Sequence, residues 1–167
     1  MNITDWRWWL CWLVLLVGCT PEYNWREVEV ADGSAKLAFP ARVQTDQRAV
    51  MLGDEKQSFR LTSASVDDAV FAVGYMNIPE NMDDTQARQL VRDLVNSLAS
   101  RVGRRAPDAA YASEVFELEA VVNGRPSRML ARVLLHRGML IQVVASGPSS
   151  VLTQERANEF MRSLRLF

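Results

Sequence analysis

The stretch FELEAVVNGRPSRMLARVLLHRGMLIQVV, residues 116–144, decides the fold because it alternates apolar and polar side chains and is interrupted by two glycine turns. An Asn-Gly pair between two such runs is the strongest short-range signal for a β-hairpin, and Asn123-Gly124 is placed in this way. A two-residue turn pairs Val122 with Arg125, so two antiparallel strands are predicted. Counting back from the turn sets three further pairs opposite each other: Leu118 with Met129, Phe116 with Ala131, and the ion pair of Glu119 with Arg128.

The second turn of this stretch allows two registers. A two-residue loop, 137–138, sets Gln142 against Val133 on the core face. A three-residue loop, 136–138, with its glycine in a left-handed bulge, pairs Val133 with Ile141 instead. We expect the three-residue loop because it keeps the apolar face intact.

The outward face of the middle strand carries Arg128, Leu130, Arg132 and Leu134. This mixture is too apolar for a face that is fully in water. We therefore expect the C-terminal helix to cover part of it, with a partner protein or a ligand as the alternative cover.

Two helices are predicted. The first runs from about Thr85 to Val102, where apolar residues recur at three- and four-residue spacing. Asp83 and Gln86 fit a capping box at its start, and Gly103 fits its end. The second helix lies in GPSSVLTQERANEFMRSL, residues 147–164, with Ser149 or Ser150 as its cap, and RLF follows as an extended tail.

Strands are also predicted before the first helix, in the segments WREVEV (25–30), SAKLAFP (34–40), QSFRLTSAS (57–65) and DAVFAVGYMNI (68–78). The order of strands, helix, three strands and helix predicts an α+β fold. We expect an antiparallel β-sheet of about six strands with two main helices packed on it. A chain of 167 residues suits one such globular domain, over residues 25–167.

This order of elements resembles the PsbP/Mog1-like domains of many bacterial envelope proteins. The features that carry the resemblance are LAFPARVQ (37–44), the long mid-chain helix, the hairpins at VNGRPSRM (122–129) and HRGMLIQVV (136–144), Gly147-Pro148, and FMRSLRLF (160–167). The resemblance implies a sandwich of sheet and helices that binds other proteins rather than catalysing a reaction. No functional residue of the family has a clear counterpart in this chain.

The N-terminal segment is too short to span a membrane. Its apolar run, from Trp8 to Cys19, has 12 residues, whereas a spanning helix needs roughly 20. The length suits the apolar region of a secretory signal, and Leu16-Val17-Gly18-Cys19 resembles the lipobox of bacterial lipoproteins. The alternative is a buried N-terminal helix with an incidental cysteine.

The lipobox resemblance implies that residues 1–18 are a signal peptide that is removed. Cys19 would then begin the mature chain and carry a diacylglycerol thioether, which anchors the protein in the membrane. Cys11 would be lost with the signal, which leaves Cys19 as the one cysteine of the mature chain. Because Thr20 rather than Asp follows it, the lipoprotein pattern points to the outer membrane of a Gram-negative cell.

Residues 19–24 are expected to be the lipidated cysteine and a short tether. The five residues after Cys19 extend over about 17 Å at most, so the domain would sit close to the bilayer. Tyr23 and Trp25 then have two possible places: the headgroup level of the membrane, or the edge of the domain itself.

The ionisable residues form no recognisable catalytic or metal-binding motif. His136 is the one histidine and lies at a predicted turn, Asp67-Asp68 fits a hairpin turn, and Asp83-Asp84 fits a helix start. A hydrolase acting through two of Asp67, Asp68, Glu117 and Glu119 is the least favoured hypothesis. We expect no catalytic, cofactor-binding or metal-ligating residue, and the formal net charge of −1 gives no case for nucleic-acid binding.

The sequence therefore predicts a membrane-anchored envelope lipoprotein, in the outer membrane and facing the periplasm. We expect a non-catalytic accessory or protein-interaction domain, with an envelope protein as its partner. The alternative is a carrier or sensor that binds a lipid or a small apolar ligand between sheet and helix.

Overall fold

The structure, a computed structural model, describes residues 23–52 and 55–167. The predicted signal peptide, the lipobox and Cys19 lie outside the described residues. The described strands are β1 (Arg26–Val30), β2 (Ala35–Phe39), β3 (Gln44–Leu52), β4 (Glu55–Val66), β5 (Ala69–Asn77), β6 (Phe116–Val122), β7 (Arg125–His136), β8 (Met139–Pro148) and β9 (Arg165–Leu166). The helices are α1 (Asp84–Arg101), α2 (Asp108–Tyr111) and α3 (Gln154–Arg162).

Two antiparallel sheets form the fold. The larger has six strands in the order β3-β4-β5-β8-β7-β6, and the smaller has three in the order β1-β2-β9. The predicted α+β class is confirmed, with its six-stranded antiparallel sheet and two main helices, α1 and α3. Three features differ from the prediction: the early strands form a separate sheet, the RLF segment contributes its third strand, and β3 had not been predicted.

The inner strands of the six-stranded sheet, β5, β8 and β7, are largely buried on both faces. One face packs against the small sheet and α3, through Leu37, Phe39 and Phe160, while the other packs against α1, through Val91 and Val95. The molecule is therefore built in three layers, with the large sheet in the middle. Alternate residues of β8 belong to the two cores: Met139, Ile141, Val143 and Ala145 to the first, and Leu140 and Val144 to the second.

The first hairpin is confirmed pair by pair. Val122 lies opposite Arg125 across Asn123-Gly124, and both turn residues have positive φ. The three further pairs, at Leu118, Phe116 and Glu119, also have the predicted register.

The register expected for the second hairpin is wrong. His136 pairs with Met139, so the loop has two residues, 137–138, and Val133 lies opposite Gln142. The expectation rested on keeping one apolar face intact, but both faces of this sheet are buried, so apolarity cannot choose the register. The turn itself decides it, because both of its residues adopt positive φ, as a two-residue hairpin loop requires.

The caps of α1 are confirmed. The Asp83 carboxylate accepts hydrogen bonds from the main-chain N–H groups of Thr85 and Gln86, and the Gln86 side chain accepts from the N–H of Asp83. At the other end, the N–H of Arg104 donates to the carbonyl of Ala99, and Gly103 has a φ of 66°. This is the Schellman pattern.

The predicted cap of α3 is wrong. Neither Ser149 nor Ser150 caps the helix, because these residues lie in a turn in which the N–H of Leu152 donates to the carbonyl of Pro148. The helix begins later, and the Thr153 hydroxyl accepts from the N–H of Arg156.

An ion pair also joins the two sheets. Arg60, on β4, donates to the carboxylate of Asp32, in the turn between β1 and β2. A hydrogen bond to Tyr75 and the negative charge of Asp32 raise the pKa of Arg60. This exposed ion pair links the turn of the small sheet to the large sheet at the surface.

Candidate functional site

The packed part of the chain includes Tyr23 and Trp25. Both rings meet Phe71 of β5 edge to face, with centroids 6.1 Å and 6.0 Å away, and the guanidinium of Arg156 lies 4.1 Å from the Tyr23 centroid. The N–H of Asn24 donates to the carbonyl of Pro40. Of the two places considered for these aromatic residues, the structure shows the edge of the domain.

The outward face of β7 is covered by α3, as predicted. Leu130 and Leu134 are buried in the same apolar cluster as Phe160 and Met161. On the same face, Arg128 donates to the main-chain oxygen of Leu152 ahead of α3. The apolar residues of this face are therefore part of the core.

An open groove of about 430 Å³ lies between the large sheet and the C-terminal end of α1. Its floor is apolar and comes from residues on the α1 face of the sheet: Val70, Leu118, Ala120, Val122 and Met129. Arg101, Arg125 and Asp68 stand at its sides, and Arg125 Nη1 forms an ion pair with Asp68 Oδ2 at 2.9 Å. The volume falls within the range of small-ligand sites, about 300–1,000 Å³.

A second hollow, of about 340 Å³, lies beside the end of β7, where β6 no longer accompanies that strand. We call it the β7 edge hollow. Arg88 and Arg92 of α1 line it, one helical turn apart, together with Arg132 of β7. Its other lining residues are Val91, Tyr111, Ser113, Leu134, Leu135 and Leu166.

The carboxylates that the sequence singled out do not form one site. Arg128 Nε lies 2.7 Å from Glu117 Oε1, and its Nη2 lies 3.7 Å from Glu119 Oε1. The expected pair with Glu119 is thus the longer of two, because the diagonal neighbour Glu117 lies closer to the guanidinium. Asp67 and Asp68 form the turn between β4 and β5, as predicted.

His136 lies at the end of β7, and its Nε2 is 2.8 Å from the main-chain oxygen of Phe167. No group of three or more His, Cys, Asp or Glu side chains that could hold a metal ion occurs in residues 23–52 and 55–167. Among the helices in these same ranges, none combines the length and apolarity that crossing a bilayer requires.

Comparisons with known proteins show a similarity to a solved structure. No family model matches the chain, and no curated protein matches it. Among solved structures, the chain is similar to the solution structure of cyanobacterial PsbP (CyanoP) from Synechocystis sp. PCC 6803, with 12% sequence identity and a TM-score of 0.46. The alignment covers 90% of this chain and 96% of that one. Similarity at this level does not establish a common family, so the PsbP/Mog1-like assignment stays a prediction.

The arginine cluster of the β7 edge hollow had not been predicted as a site. In the sequence, Arg88 and Arg92 fall outside the apolar pattern of α1, and Arg132 belongs to a strand face that we expect the C-terminal helix to cover in part. The spacing of four residues between Arg88 and Arg92 was the available signal, since it places two like charges side by side on a helix. The third arginine could be added only once the topology was known.

Proposed function

We propose that this chain is a lipid-anchored envelope protein that acts as a non-catalytic accessory or protein-interaction domain facing the periplasm. Cys19 would carry the lipid and residues 1–18 would be the removed signal peptide. By the lipoprotein pattern at Thr20, the anchor would lie in the outer membrane.

The packing of Tyr23 is the observation that carries this proposal. Three residues separate Cys19 from Tyr23, and a fully extended chain spans about 14 Å over this distance. The segment that resembles a lipobox is therefore followed within a few residues by the packed domain. This spacing leaves no room for a further folded element and suits a domain held at a membrane surface.

The surroundings of the ionisable side chains support a non-catalytic role. Glu117 and Glu119 are both directed to Arg128, and Asp68 is directed to Arg125. These carboxylates are held in ion pairs at two places rather than converging on one cleft.

Membrane fractionation of cells that express the full chain tests the anchor. We expect Cys19→Ser to abolish incorporation of radioactive palmitate and to move the protein out of the detergent-extracted membrane fraction. Cys11→Ser is the matched control, since it changes the other cysteine of the same segment, and it should leave both properties unchanged. Labelling that survives Cys19→Ser would contradict the proposal.

The groove at the end of α1 favours a second candidate function, a carrier or sensor for a lipid or small apolar ligand. Its apolar floor and its position between sheet and helix are the supporting observations. Native mass spectrometry of the purified protein tests it. A copurifying ligand should be lost in Ala120→Phe, which fills the floor, and kept in Val121→Phe, which changes the exposed neighbour. A ligand-free spectrum of the wild-type protein would count against this function.

A further inference from the structure

We propose that the free edge of β3, over residues 44–50, pairs with the same edge of a second copy of this chain, so that two molecules share one continuous antiparallel sheet. This inference goes beyond the proposed function and does not rest on it, since it concerns the folded domain alone. The second copy is the occupant because the charges of this edge complement those of an identical edge in one register.

The edge of β3 is open to solvent. The strand lies at the end of the six-stranded sheet and pairs with β4 alone among the described strands. Residues 44–49 are all exposed. At the opposite end of the sheet the edge of β6 is partly covered, because Arg104 Nε donates to the main-chain oxygen of Glu119 at 2.7 Å. An uncovered edge presents N–H and C=O groups that can pair with another chain.

The register of the sheet shows which main-chain groups of β3 face outward. Val66 and Ala69 close a two-residue turn, so their pair is hydrogen-bonded, and bonded and non-bonded pairs alternate along antiparallel strands. By this alternation, the residues of β3 that direct their main-chain groups to β4 are Gln44, Asp46 and Arg48. Those that direct their N–H and C=O groups outward are Thr45, Gln47 and Ala49. The Oγ1 atoms of Thr45 and Thr62 lie 3.1 Å apart, which agrees because side chains approach more closely in non-bonded pairs.

The charges of β3 define one register between two copies. Asp46 and Arg48 flank Gln47, and neither forms an ion pair within the part of the chain that the structure describes. If a two-fold axis passes beside Gln47, the outward main-chain groups of this residue pair with those of Gln47 in the second copy. Asp46 of each copy then lies opposite Arg48 of the other. Opposite charges in directly facing positions stabilise a pair of strands.

The neighbouring registers set like charges against each other. The main-chain alternation allows the next registers only with Thr45 opposite Gln47 or with Gln47 opposite Ala49. The first sets Asp46 opposite Asp46 of the second copy, and the second sets Arg48 opposite Arg48. Like charges in such positions destabilise the pairing. A two-fold pairing also uses the β3 edges of both copies, so the assembly closes at two.

A second copy would also add a neighbour to the outer part of β3. The pairing of β4 with β5 begins at Arg60, opposite Tyr75, whereas its pairing with β3 extends further, to Leu52 opposite Glu55. This end of the hairpin therefore has two strands, and two strands alone are marginally stable in water. In the proposed register, residues 48–50 gain a third strand, formed by residues 44–46 of the second copy.

The symmetry of the pairing agrees with the proposed anchor. The two-fold axis that relates two antiparallel neighbouring strands is perpendicular to their sheet, so both copies present the same face on the same side. Tyr23 packs against the apolar cluster on the small-sheet face. Both chains would therefore leave the joined sheet on one side, where a single membrane could hold them.

Chemical cross-linking of the full chain in detergent micelles tests the proposal. Gln47→Cys places two thiols beside the two-fold axis, on residues whose Cα atoms would be about 5.5 Å apart, so a short bismaleimide should join them. Val121→Cys, on the outer strand at the opposite end of the sheet and 70% exposed, is the matched control and should give no dimer. The wild-type chain, treated alike, accounts for Cys11 and Cys19. Absence of a cross-linked dimer in Gln47→Cys, or an equal yield in Val121→Cys, would overturn the proposal.

Charge reversal in the Gln47→Cys chain tests the register. Arg48→Asp and Asp46→Arg each set like charges opposite each other, and each should lower the cross-linked fraction by about fivefold or more. The double variant restores opposite charges, as does an equal mixture of the two single variants, and both should recover the original fraction to within about twofold. This recovery distinguishes a broken interface from a variant that does not fold. Equal cross-linking of all four samples would overturn the register.

The outcomes separate this inference from the proposed anchoring. Cys19→Ser should leave the order of cross-linking among the charge variants unchanged, because the folded domain forms the edge. Cross-linking without palmitate labelling would overturn the anchor alone, and labelling without cross-linking would overturn the β3 pairing alone. In intact cells, an adduct of Gln47→Cys with a different protein and no self-dimer would overturn the second copy as the occupant of this edge.

Discussion

The guanidinium of Arg156, on α3, lies 4.1 Å from the centre of the Tyr23 ring, so a residue of the predicted tether is fixed to the C-terminal helix. The same ring meets Phe71 of the large sheet at an angle of 88°. Tyr23 therefore joins the first described residues of the chain to two layers of the fold. Only three residues would separate a membrane anchor at Cys19 from the packed domain.

Tyr23→Ala should lower the free energy of unfolding. The ring is half-buried and contacts both an aromatic and a cationic side chain, so we expect a loss of about 1–3 kcal/mol. Urea denaturation of the purified domain measures the change. Arg26→Ala, at an exposed position on β1, is the control and should shift the stability by less than about 0.5 kcal/mol. Equal stability of both variants would show that the Tyr23 contacts add nothing.

Asp83→Ala should destabilise the protein by about 1 kcal/mol, because it removes the acceptor for two main-chain N–H groups at the start of α1. Asp84→Ala removes a carboxylate from the same helix end but no capping acceptor. Its effect should stay near 0.3–0.5 kcal/mol, the size of a helix-dipole interaction. Thermal unfolding of the two variants distinguishes these contributions, and a larger loss for Asp84→Ala would contradict the capping box.

Gly147→Ala should destabilise the protein by about 1–3 kcal/mol, as overpacking does. A Cβ atom at this position would lie 2.8 Å from the Cα of Ala69, so the β5 and β8 backbones would have to separate. Ser146→Ala, on the neighbouring residue, introduces no such contact. Chemical denaturation should therefore leave Ser146→Ala close to wild type, and a neutral Gly147→Ala would disprove the close approach.

Glu117→Gln should lower the free energy of unfolding more than Glu119→Gln does. The Glu117 side chain is 34% exposed with a 2.7 Å contact to Arg128, whereas Glu119 is 71% exposed with a 3.7 Å contact. We expect about 0.5–1 kcal/mol for the first and under about 0.3 kcal/mol for the second, since exposed ion pairs contribute little. Stability measurements at low and high salt check this order, and the reverse order would restore Glu119 as the main partner.

Local signals in the sequence predicted those parts of the fold that depend on neighbouring residues. The Asn123-Gly124 turn determines the β6–β7 register, and the capping box of Asp83 and Gln86 determines the start of α1. Each of these features depends on only a few neighbouring residues. The β7–β8 register was not predictable in this way. The three-residue loop follows only if one face of the sheet is apolar and the other is not. Met139 and Leu140 are instead buried on opposite faces of the same sheet.

The candidate binding surfaces depended on the topology and were therefore beyond the reach of sequence patterns. Arg88 and Arg132 are 44 positions apart in the chain and meet only because α1 packs beside the end of β7. The β7 edge hollow exists because β6 begins at Phe116, opposite Ala131, and leaves five residues of β7 without that neighbour. Neither fact has a signature in local composition.

The mass of the N-terminal tryptic peptide tests whether Cys19 is the lipidated first residue of the mature chain. Trypsin should release residues 19–26 from the membrane-extracted protein, because Arg26 is the first basic residue after Cys19. We expect this peptide to begin at Cys19 and to carry a diacylglyceryl group. A peptide that begins within residues 1–18, or one that begins at Cys19 with a free thiol, would contradict the lipid anchor.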